Sequence, residues 1–311
     1  MMKNIYIASC DEDGGIYRCR MADSKLEIIE KTELDRPMFL TACNNKLYAV
    51  IRDMGNGTSG VCSFDISADG SLTNQSDITS TGGVVSCHIA VEGERIYTAN
   101  YLSGNVTLLP NKLSGHSGKG VNSARQEAPH MHFVGFTPDK KYLAVTDLGL
   151  DKIFFYDKDL NEQFHLSVPP GYGARHLVFS EDGKYLYCVN ELISSVSTFK
   201  YEEKQSEYID TISALPSDFS ADNLAAAIRI NKGKLYVSNR GHNSIAVFNA
   251  DSAIPTLEKF ITVGKEPRDF DIISEHLISC NMGEDTVSLH SIDGKKLQEL
   301  SLKTPLCVLE A

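Results

Sequence analysis

The stretch RHLVFSEDGKYLYCVNELISSVSTFKY (175–201) contains three runs of aromatic and β-branched residues, separated by two short polar turns. Turns of this kind, with Asp-Gly or serines between β-rich runs, are typical of antiparallel hairpins. The same order of strand-like runs and turns occurs upstream, where HFVGFT, PDKK, YLAVTDL, GLD and KIFFYD follow one another over residues 132–157. The chain therefore repeats a unit of consecutive hairpins.

The second run of this unit recurs seven times along the chain. Successive copies lie 42, 49, 47, 43, 49 and 42 residues apart when they are aligned on Tyr6, Tyr48, Tyr97, Ala144, Tyr187, Tyr236 and Ile278. A four-stranded propeller blade occupies about 40–50 residues. The repeat predicts an all-β fold, a seven-bladed β-propeller of four-stranded antiparallel blades, in which residues 1–311 form one domain.

The two ends of the chain predict how the ring closes. The first copy begins directly with its second strand, and the last residues, TPLCVLEA (304–311), form a further β-like run. We expect residues 306–309 to supply the missing innermost strand of the first blade, because closure removes exposed sheet edges. Helix is expected only as a short turn around residues 222–227.

Composition excludes several classes of partner. The net charge of −11 argues against a nucleic-acid partner, since binding the phosphate backbone needs basic surface. No run reaches the roughly 20 apolar residues of a membrane span, and the N-terminus has no leader pattern. Eight cysteines without a CxxC pair are expected to be reduced, buried thiols. These features predict a cytoplasmic protein with neither a membrane nor a nucleic-acid partner.

Strand direction predicts which residues share one rim of the ring. In an antiparallel blade, the start of the first strand and the end of the second lie together. This register places six of ten arginines and six of nine histidines on that rim or in the loops before it. They are Arg36, Arg52, Arg125, Arg175, Arg240, Arg268, His88, His116, His130, His132, His176 and His242. Arginines gathered at one mouth of an acidic protein predict an anion-binding site.

Several long motifs resemble a known family. They are HSGKGVNSARQEAPHMHFVGFTPDKKYLAVTDLGLDKIFFYD (116–157), GYGARHLVFSEDGKYLYCVNEL (171–192), IRINKGKLYVSNRGHNSIAVF (228–248) and EPRDFDI (266–272). In this order they resemble the lactonase propellers, which include 6-phosphogluconolactonases and fungal carboxymuconate cyclases. The resemblance covers about residues 85–305, and it departs at Asn281-Met282 and at residues 52–55.

The resemblance implies a catalytic set of His132, Arg175, Glu191 and Arg240 with no metal or other cofactor. The residues expected to bind substrate or to support this set are His130, Asp147, His176, Asn190, Asn239, His242 and Arg268. A zinc site at His130 and His132 would need a third ligand, and none is evident in the sequence. The implied activity is metal-independent acid/base hydrolysis of a small anionic sugar lactone, with 6-phosphogluconolactone converted to 6-phosphogluconate.

Alternatives remain open at this point. Either Glu191 or His132 could act as the base, with the other delivering the proton. A muconate-type cycloisomerase and a non-catalytic scaffold or sugar-acid-binding propeller are the competing functions, because the fold alone does not define an activity.

Overall fold

The computed structural model describes residues 4–311; residues 1–3, part of the segment examined for a leader pattern, lie outside the described residues. Within residues 4–311 the chain forms seven antiparallel sheets, and its helix is limited to two 3-10 turns, Glu203–Gln205 and Met282–Glu284. The same residues include no helix long and apolar enough to cross a membrane. The predicted seven-bladed all-β propeller is confirmed.

The strands follow one another blade by blade. Blade 1 takes β1 (Asn4–Ser9), β2 (Gly15–Ala22) and β3 (Lys25–Glu33). Blade 2 has β4 (Pro37–Cys43), β5 (Lys46–Ile51), β6 (Gly60–Ile66), β7 (Leu72–Thr73) and the extra β8 (Thr79–Ser80). Blade 3 has β9 (Ser86–Glu92), β10 (Arg95–Asn100), β11 (Asn105–Leu108) and β12 (Lys112–Gly115). Blade 4 has β13 (Met131–Phe136), β14 (Leu143–Asp147), β15 (Lys152–Tyr156) and β16 (Glu162–Ser167).

The second half continues in the same way. Blade 5 has β17 (Ala174–Phe179), β18 (Tyr185–Asn190), β19 (Ser195–Lys200) and β20 (Glu207–Ser213). Blade 6 has β21 (Leu224–Asn231), β22 (Lys234–Arg240), β23 (Ser244–Asn249) and β24 (Thr256–Thr262). Blade 7 has β25 (Pro267–Ile273), β26 (His276–Asn281), β27 (Thr286–Ser291) and β28 (Lys296–Ser301), and the chain ends with β29 (Pro305–Glu310).

The C-terminal strand closes the ring. Strand β29 pairs antiparallel with β1, placing Leu309 opposite Tyr6 and Val308 opposite Ile7, so the sheet order of blade 1 is β29-β1-β2-β3. It also packs against β25 and β4, the inner strands of the two neighbouring blades. The prediction that residues 306–309 provide the innermost strand of blade 1 is confirmed.

The core lies between the blades. Strand β18 shows the principle, since its side chains alternate between two apolar layers. Leu186 and Cys188 pack towards blade 4, whereas Tyr187 and Val189 pack towards blade 6. All eight cysteines are free thiols, and six of them are buried.

The prediction of a short helical turn around residues 222–227 is wrong. Residues 224–231 form β21, the inner strand of blade 6, and Ala225, Ala226 and Ala227 are fully buried in it. Alanine favours helix when its local preference decides. Here the pairing of β21 with β22 overrides that preference.

Candidate active site

Each of the seven inner strands carries a β-bulge near the same end. In blade 4, Met131 pairs with Asp147 and Phe133 pairs with Thr146, so His132 is the extra residue. In blade 6 two alanines occupy this position. Across the ring the bulged residues are Leu306, Met38, Cys87, His132, Arg175, Ala226 with Ala227, and Arg268. A bulge redirects a side chain out of the regular alternation of a strand.

The bulged side chains converge on the propeller axis. One narrow axial pocket is lined by six of them, Met38, Cys87, His132, Arg175, Arg268 and Leu306. We call these residues the bulge ring. The same backbone irregularity thus directs one side chain from each of six blades to a common point.

Above the bulge ring a wider cavity of about 280 Å³ opens. We call it the upper mouth. It is lined by Arg52, Val85, Cys87, Tyr101, Leu102, Arg125, His132, Glu191, Leu224, Arg240 and Arg268. Of the four residues predicted to be catalytic, His132, Glu191 and Arg240 line this cavity directly. The fourth, Arg175, lies below them in the bulge ring.

Glu191 is the centre of a buried ion cluster. Its Oε1 accepts a hydrogen bond from Arg125 Nη2 at 2.6 Å, and its Oε2 accepts one from Arg175 Nε at 2.9 Å. Arg240 Nη2 lies 3.1 Å from the same Oε2. The side chain of Glu191 is 5% exposed and that of Arg175 is 2% exposed, so this is not a solvated surface pair. Burial makes such a cluster sensitive to the loss of any one member.

The cluster defines the charge states of its members. Burial alone would raise the pKa of Glu191, but the charges of Arg240 and Arg175 outweigh burial and hold that pKa well below its usual range. Burial, followed by the charge of Arg240, lowers the pKa of Arg175. Glu191 is therefore a carboxylate at neutral pH, and both of its oxygens are engaged by arginines.

His132, in contrast to the charged Glu191, is an uncharged side chain. Its Nδ1 lies 3.2 Å from His176 Nε2, and both rings are buried. Burial, followed by the charge of Arg175, holds the pKa of each imidazole well below its usual range. The nearby Glu191 acts against this effect at His132. His132 is thus a neutral imidazole at the cavity wall. His176 beside it lines the narrow axial pocket and a further cavity beneath that pocket, which together we call the channel.

The predicted amides and Asp147 lie near strand ends, where they bond to neighbouring strands and to loops. Asn190 Nδ2 donates to the hydroxyls of Ser195 and Ser197, and Asn239 Nδ2 donates to the carbonyl of Ala214. Asp147 Oδ1 accepts the backbone N–H groups of residues 130, 149 and 150. Burial, which is the largest effect, raises the pKa of Asp147 to about 6. These three side chains do not line the upper mouth.

The remaining predicted histidines also lie outside the cavity. His130 stacks on Tyr101 and bonds to Glu127, so it supports the cavity wall from behind. His242 lies between Phe219 and Phe260, with its Nδ1 2.6 Å from Ser244 Oγ. His116 stacks on Phe154 of β15. The polar residues predicted at this rim therefore fall into two groups. Some are directed to the axis by the bulges, and the others stabilise the blade edges.

Arg36 is a further member of the predicted rim that does not line the upper mouth. Its guanidinium makes two 2.8 Å hydrogen bonds to the Asp35 carboxylate. His88 lies deeper in the channel, between Phe39 and Phe133.

Sequence reasoning did not identify Cys87, gave Tyr101 no specific role, and placed Arg125 on the rim without naming its partner. Arg125 lies in the loop before β13, yet it reaches across to Glu191 of blade 5. Cys87 occupies the bulge of blade 3, and burial raises the pKa of its thiol to about 12. Tyr101 forms part of the apolar side of the mouth with Leu102. Aligning the seven copies at the bulge position would have found Cys87, but no sequence signal shows that Arg125 reaches Glu191.

The upper mouth carries a large excess of positive charge. Its wall contains four guanidinium groups, Arg52, Arg125, Arg240 and Arg268, against the single carboxylate of Glu191. Four minus one leaves a formal charge of +3, in a protein whose net charge is −11, and the axial pocket below adds one charge of each sign, Arg175 and Asp269. Among residues 4–311 no group of three His, Cys, Asp or Glu side chains could hold a metal ion. The arrangement is therefore suited to an anionic ligand.

Comparison with known proteins agrees with this architecture. The family model described as lactonase, 7-bladed beta-propeller, matches residues 4–309, a wider span than the motifs alone. The 6-phosphogluconolactonase of Bacillus subtilis strain 168 is 32% identical over 292 residues, covering 85% of this chain and 83% of that protein. An uncharacterized protein of Staphylococcus saprophyticus is 34% identical over 286 residues, covering 84% and 82%.

Solved structures show the same fold over the full length. A protein from Lactobacillus plantarum superposes with a TM-score of 0.91 at 28% identity, covering 100% of both chains. The periplasmic gluconolactonase of Pseudomonas aeruginosa superposes with a TM-score of 0.91 at 23% identity, covering 100% of this chain and 99% of that one, and this likeness supports the fold alone. The chain belongs to the lactonase family of seven-bladed β-propellers.

Proposed function

We propose that the protein hydrolyses a sugar lactone, and that its substrate is 6-phosphogluconolactone or a close analogue. The observation that carries this proposal is a single cavity lined by a neutral imidazole, a permanent carboxylate and several guanidinium groups. Lactone hydrolysis needs an activated water, stabilisation of the carbonyl oxygen and a proton for the leaving alkoxide. The 32% identical relative from Bacillus subtilis carries the name of this activity.

His132 is the base in this proposal. A neutral imidazole can accept a proton from water, whereas the carboxylate of Glu191 is held by three arginines. With His132 Nδ1–H donating to His176 Nε2, the other ring nitrogen, Nε2, is free to accept that proton. Glu191 then stabilises the imidazolium that forms. This arrangement favours His132 over Glu191 as the base.

Arg240 is the group that we assign to the carbonyl oxygen. It lines the cavity, and its Nε and Nη2 donate to the carbonyls of Leu224 and Ala225 at 3.3 and 3.2 Å, which hold the guanidinium in place. Preorganised donors of this kind stabilise charge as it develops. Arg175 is bound to Glu191 and to the carbonyl of Ala226, so it contributes its charge from beneath the cavity.

The proposed steps balance in protons and bonds. Water adds to the lactone carbonyl carbon while His132 takes its proton, and the oxyanion forms beside Arg240. The ring C–O bond then breaks, and the alkoxide oxygen takes the proton from His132. The product acid releases one proton to solvent at neutral pH, so turnover appears as acid release.

A lactone panel tests the proposal. Acid release in weak buffer is measured for 6-phosphogluconolactone, glucono-δ-lactone and muconolactone, each against the rate without protein. Hydrolysis of 6-phosphogluconolactone well above that rate, with loss in His132→Gln, is the expected result. No acceleration of any lactone would overturn the proposal and favour a binding propeller, whereas formation of muconolactone from the open acid would favour the cycloisomerase. The predicted cytoplasmic location and role in sugar-phosphate metabolism belong to the same proposal.

A further inference from the structure

The arginines of the upper mouth are of two kinds. Arg125, Arg175 and Arg240 each contact the Glu191 carboxylate at distances between 2.6 and 3.1 Å. Arg52 and Arg268 line the same cavity, but neither makes an ion pair with any carboxylate of residues 4–311. The first group is neutralised in part by Glu191, and the second is available to a ligand.

The two available arginines come from other blades than Glu191, which directly follows β18 of blade 5. Arg268 is the bulged residue of blade 7, and Arg52 directly follows β5 of blade 2, so they flank blade 1. Blade 1 contributes the apolar Leu306 to the bulge ring. Burial raises the pKa of the nearby Cys10 thiol to about 11, and the charges of Arg52, Arg268 and Arg36 act against that rise. Of these three, Arg36 is paired with Asp35, which leaves Arg52 and Arg268 for a ligand.

The backbone of Arg52 is fixed while its guanidinium remains unpaired. Its N–H donates to the carbonyl of Arg36 at 3.0 Å, and its own carbonyl accepts a hydrogen bond from Ser59 Oγ at 2.7 Å. The guanidinium has only a weak 3.9 Å contact with Met38 Sδ. Arg268 is half-buried and makes no side-chain hydrogen bond within the described chain. Planar guanidinium groups with free donors suit the oxygens of phosphate.

We propose that Arg52 and Arg268 form an anion subsite for the dianionic phosphate of a phosphorylated sugar lactone, and thereby select phosphorylated over neutral lactones. This inference rests on the proposed function, since it places the reacting carbonyl at His132 and Arg240, and the phosphate across the mouth. Two unpaired guanidinium groups match the two charges of a phosphate monoester. In this proposal Arg52, which lies in the segment 52–55 that departs from the family motifs, is a specificity residue.

Kinetics on a pair of lactones tests the subsite. We expect Arg52→Met and Arg268→Met each to lower kcat/KM for 6-phosphogluconolactone by about 10–100-fold, the range for losing a charged hydrogen bond. The loss with glucono-δ-lactone should be much smaller. The matched control is Arg36→Met, which removes a neighbouring arginine bound to Asp35. It should change kcat/KM for either lactone by no more than about twofold. Equal losses on both lactones would overturn the subsite.

Direct binding separates this proposal from the proposed function. Calorimetric titration of 6-phosphogluconate, gluconate, inorganic phosphate and the dicarboxylate glucarate needs no turnover. We expect 6-phosphogluconate to bind more tightly than gluconate and glucarate, and the double variant Arg52→Met/Arg268→Met to lose that preference. Preference for glucarate, or a preference for 6-phosphogluconate that survives in the double variant, would contradict the assignment.

Two further controls complete the test. Circular dichroism and melting of each variant show whether it is folded, and Arg52→Lys and Arg268→Lys provide versions that keep the charge. Phosphate-dependent binding in a protein that hydrolyses no lactone would leave the subsite standing while the proposed function fails.

Discussion

At the upper mouth one buried carboxylate, Glu191, contacts three guanidinium groups, whereas at the other end of the channel one guanidinium, Arg229, lies beside two carboxylates. That second opening, the lower vestibule, is a cavity of about 330 Å³ lined by residues from all seven inner strands, among them Phe39, His88, Phe133 and Arg229. Arg229 Nη2 lies 2.7 Å from Asp269 Oδ1, and its Nε lies 4.0 Å from Asp271 Oδ1.

The difference separates charge used for a ligand from charge used for the fold. Asp269 in β25 bonds to Arg229 in β21 and also accepts the backbone N–H of Val308 in β29 at 3.2 Å. This cluster therefore connects blades 6 and 7 to the closing strand. At the mouth, by contrast, positive charge exceeds what Glu191 balances, and the excess faces an open cavity. We infer that substitutions at the mouth affect turnover and those in the lower vestibule affect stability.

The largest expected effect is on turnover at the mouth. Substituting His132→Gln removes the proposed base, and we expect kcat to fall by about 10²–10⁴, the usual contribution of acid/base catalysis. The matched control is His290→Gln, which replaces another fully buried histidine that lies in β27 and lines no part of the mouth. Steady-state acid release measures both. Turnover of His132→Gln within a few-fold of the parent would remove His132 from the mechanism.

The second prediction concerns the lower vestibule. Arg229→Met leaves Asp269 buried without its partner, and we expect the free energy of unfolding to fall by about 3–5 kcal/mol. The matched control, Lys234→Met in the same blade, breaks an exposed ion pair with Glu258 and should cost no more than about 1 kcal/mol. Urea unfolding gives the stabilities, and kcat of the folded Arg229→Met protein should stay close to the parent value. Lost turnover with unchanged stability would contradict the division between the two ends.

The third prediction sharpens the role of the mouth arginines. Arg240→Ala should lower kcat by about 10²–10³, as expected for loss of one oxyanion donor. Arg240→Lys should not restore it, because an ammonium cannot reproduce the planar fork that contacts Glu191 and two backbone carbonyls. Comparing kcat of the two variants decides the point. Recovery by lysine would mean that positive charge alone is sufficient.

The smallest effect is a pH dependence of stability from the channel between the two ends. Burial lowers the pKa of His88 to about 3, from an ordinary value near 6.5. Between these values the unfolded chain binds a proton that the folded chain does not, so the free energy of unfolding falls as the pH falls. We expect His88→Phe to reduce this slope by about 1.4 kcal/mol per pH unit.

Urea unfolding of the parent and of His88→Phe over about pH 4.5 to 7 measures the difference. Phenylalanine keeps an aromatic ring between Phe39 and Phe133, so packing is largely preserved. An unchanged slope would show that His88 is protonated in the folded protein.

The sequence predicted the blades and much of the mouth, and it failed where contacts between blades decide the outcome. Strand direction predicted that His132 and Arg240 share one rim, and both line the upper mouth, because antiparallel pairing leaves few choices. The same rule could not distinguish His132, which a bulge directs to the axis, from His242, which packs between two phenylalanines of the blade edge. Both are rim histidines in the sequence.

Repetition, strand direction and the incomplete first copy are encoded locally, so the sequence by itself determined seven blades, their closure by β29 and the gathering of arginines at one end. Only the tertiary structure decided which arginines are available. Arg125 reaches Glu191 across a blade boundary, while Arg52 and Arg268 remain unpaired with any carboxylate of residues 4–311. The alanines of β21 likewise became strand through pairing. The physical reason is common to both: pairing of charges and of strands depends on distances in space, which sequence spacing does not specify.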